Sequence, residues 1–451
     1  MKRLVFFFAA VKIVVLAWWL HKLGWGTIDD AYHWELAHGP GGFVSLLKHL
    51  ITLDADAGMF RPVYNLYMMG GYRLFESNPQ GFYALCWALL LVPAFFMARL
   101  WLTLTDRPST VAAVALTCAL FAYEPWTQLF SNLSLQEKLG LLWAAVALTL
   151  LHRGKSLLAL GATTLMLLSK ATFISHGPPF LALLYLFKPK QWRRGLVAQT
   201  LAFTAAAFYF MSIRKGYTSG YSVNLQNYAD NIPKAGLPTW LLWLVALAAP
   251  LPYLFRGRRT PLSKVAVVGA VGVLSASAVM VPWASTDYYM SILAPWALAL
   301  AAAGYAALPQ GQQRGLALLS ASALGFAGLF IHLVPQFRYN HEMREVTTVL
   351  TELRMKGKHL RAYLGACNET RDSLDHFSRP HYARRWNEEE REYFVRSLKN
   401  LVPGKPQIWV ESSRCSTPVP GGIIVEPVLY ESRHWRMSEI NVLSVDGKLN
   451  R

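Results

Sequence analysis

Across 451 residues the chain is 54% apolar and 13% aromatic, and only 16% of it is charged. Soluble domains carry about 25% charge, so this composition excludes an ordinary water-soluble enzyme. The formal charge of +18 invites a nucleic-acid partner, but no basic stripe or nucleic-acid module accompanies it, and much of the excess sits in short loops between apolar runs.

The first apolar run, Leu4 to Leu20, carries Lys12 inside it and ends on Trp18-Trp19 rather than on a small-residue cleavage site. It reads as a membrane anchor, not a signal peptide. Further runs follow at 82–102, 110–125, 138–152, 157–173, 178–188, 196–213, 238–255, 264–284, 291–308 and 315–335. Most are near the roughly 20 residues needed to cross a hydrocarbon core about 30 Å thick. The expectation is a polytopic α-helical membrane protein, a bundle of about 11 spans with a small extracytoplasmic α+β domain at its C-terminus. The segment 178–188 follows His176-Gly177-Pro178-Pro179 and is short for a crossing, which predicts a broken or tilted helix covered by protein.

Alternating hairpins place Met1-Lys2-Arg3, Arg107, Arg153 with Lys155, Lys188 through Arg194, Arg256 through Lys264, and Arg314 on one side. Nearly all of these are basic, the mark of a cytoplasmic face, so the N-terminus is expected inside and the tail outside. The outer face then collects the first loop (24–77), Glu124–Glu137, Ser175–Pro178, Arg214–Pro238 and Ser285–Tyr289. From Pro335 onward charge rises and long apolar runs stop. The division predicted is a membrane module over 1–337 and a soluble domain over 338–451, with helices at about 342–364 and 387–401 and strands at 407–410 and 422–425. Cys86 and Cys118 fall inside apolar runs as small buried hydrophobes, whereas Cys367 and Cys415 in the tail are candidates for a disulfide if that compartment is oxidising.

Residues able to carry chemistry gather in the outer segments. Asp29-Asp30 is a pair of adjacent carboxylates just beyond the first run. Such a pair needs a proton, a cation or a metal to coexist, and one member is suited to act as a general base; a helix N-cap is the structural alternative. Arg61, in Phe-Arg-Pro, is placed either to grip a phosphate or to snorkel to the interface. Lys170, in the outer half of the fifth run with Ser169, Thr172 and His176 near it, needs a partner at that depth. An anionic lipid head or one of the loop acids would serve. Glu137 opens the fourth run, and His33, Arg214, Lys215, Tyr288 and Tyr289 complete the outer ring.

In order and sidedness these segments resemble the GT-C superfamily of polyprenyl-phosphate-sugar glycosyltransferases, which includes protein O-mannosyltransferases, the aminoarabinose transferase that modifies lipid A, and oligosaccharyltransferases. The features that carry the resemblance are Asp29-Asp30 in the first outer loop, Arg61-Pro62 before the second span, and Ser169-Lys170 followed by Pro178-Pro179. Ala171 stands where Glu is frequent in the superfamily. Asp287-Tyr288-Tyr289-Met290 with Pro295 is similar to an Arg-Tyr…Pro motif but lacks its Arg, which shifts phosphate binding to Lys170, Arg61 or Arg214.

The resemblance implies a sugar carried on a polyprenyl phosphate and a single inverting displacement in a bacterial inner membrane. It makes Asp29 the base and Asp30 its helper, or a ligand of a divalent cation, whose use is left open. The acceptor is expected on the periplasmic side: an exported protein such as a pilin, an envelope glycan or a lipid. The competing readings are a flippase for a lipid-linked sugar and an O-antigen-type ligase or polymerase. A flippase needs polar groups at midmembrane, and the ligase or polymerase would carry its main outer loop late in the chain.

Overall fold

A computed structural model of the chain describes residues 1–25, 33, 37–38, 41–56, 59–76, 78–133, 135–213, 225–256, 260–282, 288–355, 361–364, 394–395, 407–412, 423–433 and 435–442. Helix α1 spans Lys2–Leu20. The described part of the first outer loop includes helices α2 (Phe43–Asp56) and α3 (Pro62–Phe75), where the sequence reading placed a polar loop. The bundle continues through α4 (Pro79–Leu104), α5 (Thr110–Ala119), α6 (Glu124–Ser131), α7 (Glu137–His152) and α8 (Ser156–Ser169). Then come α9 (Gly177–Phe187), α10 (Trp192–Ile213), α11 (Leu225–Asn231), α12 (Leu237–Ala248) and α13 (Leu251–Arg256). Helices α14 (Pro261–Met280), α15 (Ala294–Ala307), α16 (Gln312–Gly328) and α17 (Val334–Met355) complete it.

Each predicted apolar run carries helix. Among the described residues, five helices are long and apolar enough to cross a membrane: Lys2–Leu20, Pro79–Leu104, Pro261–Met280, Tyr288–Ala307 and Gln312–Leu353. A sixth is added if Gln226–Lys234 and Leu237–Tyr253, bent by 110°, form one broken span. The remaining runs are shorter or less apolar. Phe7, Val14, Leu157, Leu201, Phe208, Leu247 and Ile331 point outward from the bundle, a face suited to lipid rather than water.

Close approach of α16 to the break after α5 depends on glycine. A Cβ at Gly325 would collide with the Cys118 carbonyl, and one at Gly328 with that of Phe121. The same break leaves the Cys118 carbonyl open to Lys12, whose Nζ donates to it at 3.0 Å and lies 5.3 Å from the Phe121 ring. The cation inside the first span is thereby satisfied within the protein. Cys86 and Cys118 are buried cysteines outside any disulfide, in keeping with their expected role, and the Cys86 sulfur meets the Tyr67 hydroxyl at 2.7 Å.

Other features also differ from the sequence reading. The fifth run is not helical to residue 173: α8 ends at Ser169, Lys170 is extended (φ −160°, ψ 130°), and a 3-10 turn over Ala171–His176 leads into α9. The break therefore precedes the sixth segment, which is itself a regular helix. The division at 337/338 falls inside α17, which runs unbroken from the bundle into the tail and stops at Met355. Residues 361–364 are a strand, not the end of that helix, and Phe394–Val395, expected within a helix, is also a strand.

Among its described residues the tail forms a five-stranded mixed sheet, β1 (Arg361–Leu364), β2 (Phe394–Val395), β3 (Gln407–Ser412), β4 (Ile423–Glu431) and β5 (Trp435–Val442), in the order β2-β1-β3-β5-β4. β1 lies parallel to β2 and β3, while β5 is antiparallel to β3 and β4. Ile408, Val410, Trp435 and Met437 pack on Tyr339, Met343, Val346 and Leu350 of α17, a second core separate from that of the bundle. Ser432 adds a 2.8 Å hydrogen bond to Glu342. Cys367 and Cys415 lie outside the described residues, as does most of the predicted helix at 387–401.

Candidate active site

Helix α2 is apolar except for scattered polar positions, and it turns Leu50 and Asp54, four residues apart, inward together. The chain then doubles back, with the Met59 N–H donating to the Asp54 carbonyl at 2.7 Å. Arg61 is the N-cap of α3, and Pro62 fills the first helical position, where its missing N–H is not needed. This geometry brings the guanidinium onto Asp54 as a fork: Nε donates to Oδ2 at 3.1 Å and Nη2 to Oδ1 at 2.7 Å. Asn65, one turn into α3, donates to Oδ2 at 2.9 Å. Arg61 is therefore held by an acid, not snorkelling. It also lies 5.2 Å from the Tyr64 ring, and the Tyr64 hydroxyl meets His33 Nε2 at 3.3 Å.

The second half of the site is made by the break after α8. Extended backbone at Lys170 sends its side chain to Glu137, the first residue of α7, in a buried ion pair. Lys170 no longer shares a helical face with Thr172 and His176. Gly140 permits the approach, because a Cβ there would run into the Phe173 ring of the 3-10 turn. Tyr288 and Tyr289 stack on each other at 4.3 Å, and the Lys170 ammonium lies 5.6 Å from the first ring and 4.4 Å from the second. Such cation–π contacts hold an ammonium where water is scarce. Helix α3, capped by Arg61, packs on α8, which ends just before Lys170.

Of the sequence-predicted residues, the structure thus places Arg61 and His33 in one cluster, through Tyr64, and Glu137, Lys170, Tyr288 and Tyr289 in a second. His176 lies apart in an aromatic box, 4.9 Å from Phe173 and 5.1 Å from Trp296, fully buried. Asp29, Asp30, Arg214 and Lys215 lie outside the described residues. Among the described residues no cluster of three His, Cys, Asp or Glu side chains is placed to hold a metal.

Asp54 and Asn65 were not singled out from sequence. The available signal was the position of Asp54 on the inward face of an amphipathic helix, where an acid needs a cationic partner. The arrangement holds two cations, each steadied by a carboxylate and an aromatic face, at one end of a helical bundle.

No family model and no curated protein matches the chain. Among solved structures it is similar to ArnT from Cupriavidus metallidurans in the apo state, with 14% identity, a TM-score of 0.49 and 96% of this chain aligned to 97% of that one. It is also similar to the same protein bound to undecaprenyl phosphate, with 14% identity, a TM-score of 0.50 and the same coverage. The likeness runs through bundle and tail alike, and it is one of fold.

Proposed function

We propose that the chain is an integral membrane glycosyltransferase that moves a sugar from a polyprenyl-phosphate donor to an acceptor outside the cytoplasm. The observation that carries this reading is a pair of cations, Arg61 and Lys170, each held by its own carboxylate at the ends of two helices that pack together, in a chain whose fold is similar along its length to a protein crystallised with undecaprenyl phosphate. The order of Asp29-Asp30, Arg61-Pro62 and Ser169-Lys170 in the sequence supports the same superfamily.

On this reading an acceptor hydroxyl attacks the anomeric carbon while Asp29 takes its proton. The bond from that carbon to the phosphate oxygen breaks, its electron pair stays on the oxygen, and the sugar is inverted. Arg61 and Lys170 stabilise the phosphate as it leaves, the pre-aimed charge that lowers such barriers most. Asp54 and Glu137 keep the two cations in place before the donor arrives. Asp30 assists Asp29, and the pair would hold a divalent cation if one is used.

The bundle of about 11 spans would sit in a bacterial inner membrane with its N-terminus cytoplasmic and its tail periplasmic, following the distribution of basic loops. The sugar is a hexose or pentose. The acceptor is an exported protein such as a pilin, or an envelope glycan or lipid.

The test is transfer by the purified full chain in nanodiscs, given radiolabelled undecaprenyl-phosphate sugars and an envelope fraction. Asp29→Asn should abolish transfer while donor binding and the elution profile stay as in the wild type. Turnover retained in that variant would refute the mechanism.

A further inference from the structure

The end of the bundle opposite the Glu137–Lys170 pair carries three basic turns. Helix α7 starts at Glu137 and α8 ends just before Lys170, so the turn that joins them lies about 20 Å away from the pair along both helices. That turn holds Arg153 and Lys155. The connection from α9 into α10 holds Lys188, Lys190 and Arg193, and the first turn of α14 holds Lys264.

Basic turns are common on one face of a membrane protein; here they meet. Gly154, with φ 69°, packs flat on Lys190, whose backbone a Cβ would strike. The Ser156 hydroxyl reaches the Gln191 carbonyl at 3.5 Å. Lys264 Nζ lies 5.6 Å from the ring of Phe187, the residue before Lys188. Lys188 and Arg193 both lie against Trp192, at 5.7 and 5.5 Å from its ring.

Among the described residues none of these six cations makes an ion pair. Between Glu137 and Asp287 the chain holds a single acid, Asp230. Tyr228, two residues before it, bonds to the Ala278 carbonyl, about 20 Å along α14 from Lys264. Asp106, in the turn between α4 and α5, pairs with none of the six. Three helices begin at the patch, α8, α10 and α14, and none has an acid in its first turn, where the helix dipole favours one.

The patch continues directly into an apolar flank. Arg193, Val197 and Leu201 follow one another at four-residue spacing on α10, and all three are exposed. Tyr185, also exposed, stands one turn before Lys188, whose Nζ lies 5.8 Å from its ring. The matching ligand carries negative charge at one end and hydrocarbon immediately beyond it. A free phosphate ion would use the cations and leave the flank bare.

We propose that this patch binds an anionic phospholipid, with its phosphodiester at Lys188 and Arg193 beside Trp192 and an acyl chain along Val197 and Leu201. The surrounding cations add long-range attraction. The proposal does not draw on the glycosyl-transfer reading.

The experiment is native mass spectrometry of the full chain in a neutral detergent, titrated with phosphatidylglycerol and, separately, with phosphatidylcholine. The wild type should bind phosphatidylglycerol at least about tenfold more tightly, as expected for two or more cations acting on one phosphate. Lys188→Gln/Arg193→Gln, at exposed positions, should weaken phosphatidylglycerol about tenfold and leave phosphatidylcholine unchanged. Arg153→Gln/Lys155→Gln, also exposed, is the second variant should the first misfold, and it should weaken phosphatidylglycerol in the same direction. Lys2→Gln/Arg3→Gln removes two exposed cations of α1 and should leave the affinity as in the wild type. Equal affinity for the two lipids, wild-type affinity in the folded patch variants, or an equal loss in the α1 control would overturn the site. Displacement of phosphatidylglycerol by millimolar inorganic phosphate would overturn the lipid as its ligand.

Discussion

Replacing Glu137 by Gln, Lys170 by Met, and both together separates a structural pair from two independent charges. The Glu137 side chain is fully buried and that of Lys170 is 10% exposed, so neither charge has water to fall back on when its partner is removed. At an effective dielectric near 20, charges about 4 Å apart attract by about 4 kcal/mol, and desolvation opposes most of that gain. Removing one partner leaves the other charge buried and alone, which costs about 3–5 kcal/mol. Removing both leaves no buried charge, so the double variant should return to within about 1 kcal/mol of the wild type. The coupling read from the cycle is then about 5 kcal/mol or more. Unfolding in mixed detergent micelles, followed by tryptophan fluorescence, gives the four stabilities. Additive losses, with the double variant as unstable as the sum of the singles, would refute the account of Lys170. Transfer should be lost in both variants that lack the lysine, including the stable double variant, because the phosphate contact goes with it.

Three further perturbations probe the supporting structure. Gly140→Ala pushes into Phe173, shifts the turn that carries Lys170, and should cost about 1–3 kcal/mol with slower transfer; unchanged stability and rate would contradict that packing. Trp435→Ala empties a position that is 1% exposed and 5.2 Å from Tyr339. It should cost the tail about 3–5 kcal/mol, seen as faster tryptic cleavage beyond α17 with the bundle's melting unchanged. Asp54→Asn keeps the shape but loses the charged fork, and a misplaced Arg61 should lower turnover at saturating donor about 100-fold; an unaltered rate would show that Asp54 does not position it.

The membrane class, the helical run positions and two of the tail's strands, β3 and the start of β4, were legible in sequence because hydropathy and alternation are local properties. The break at Lys170 was not. Ser169, Lys170 and Ala171 are unremarkable inside an apolar run, and the helix stops there because Phe173 must reach the bare face of Gly140, a contact between distant segments. The continuity of α17 was missed for the opposite reason: composition changes at Pro335, while the helix carries straight on and changes only what it packs against.

Within the site, Arg61 and Lys170 stood out as cations near a membrane surface, and the sequence allowed an acid as the partner of Lys170. Which acid, and that Asp54 pairs with Arg61, depended on two helices inside a segment read as loop. The Asp29-Asp30 pair was legible from adjacency alone and lies outside the described residues; its role remains a proposal to be tested directly.

The most direct test of the central claim is binding of undecaprenyl phosphate to the purified full chain in nanodiscs, measured for the wild type and for Arg61→Gln/Lys170→Met. The wild type should bind saturably, and the double variant should bind at least about 100-fold more weakly, since each charge-assisted contact contributes about 1.5–3 kcal/mol. Absence of saturable binding by the wild type, or equal affinity in a folded double variant, would contradict the account.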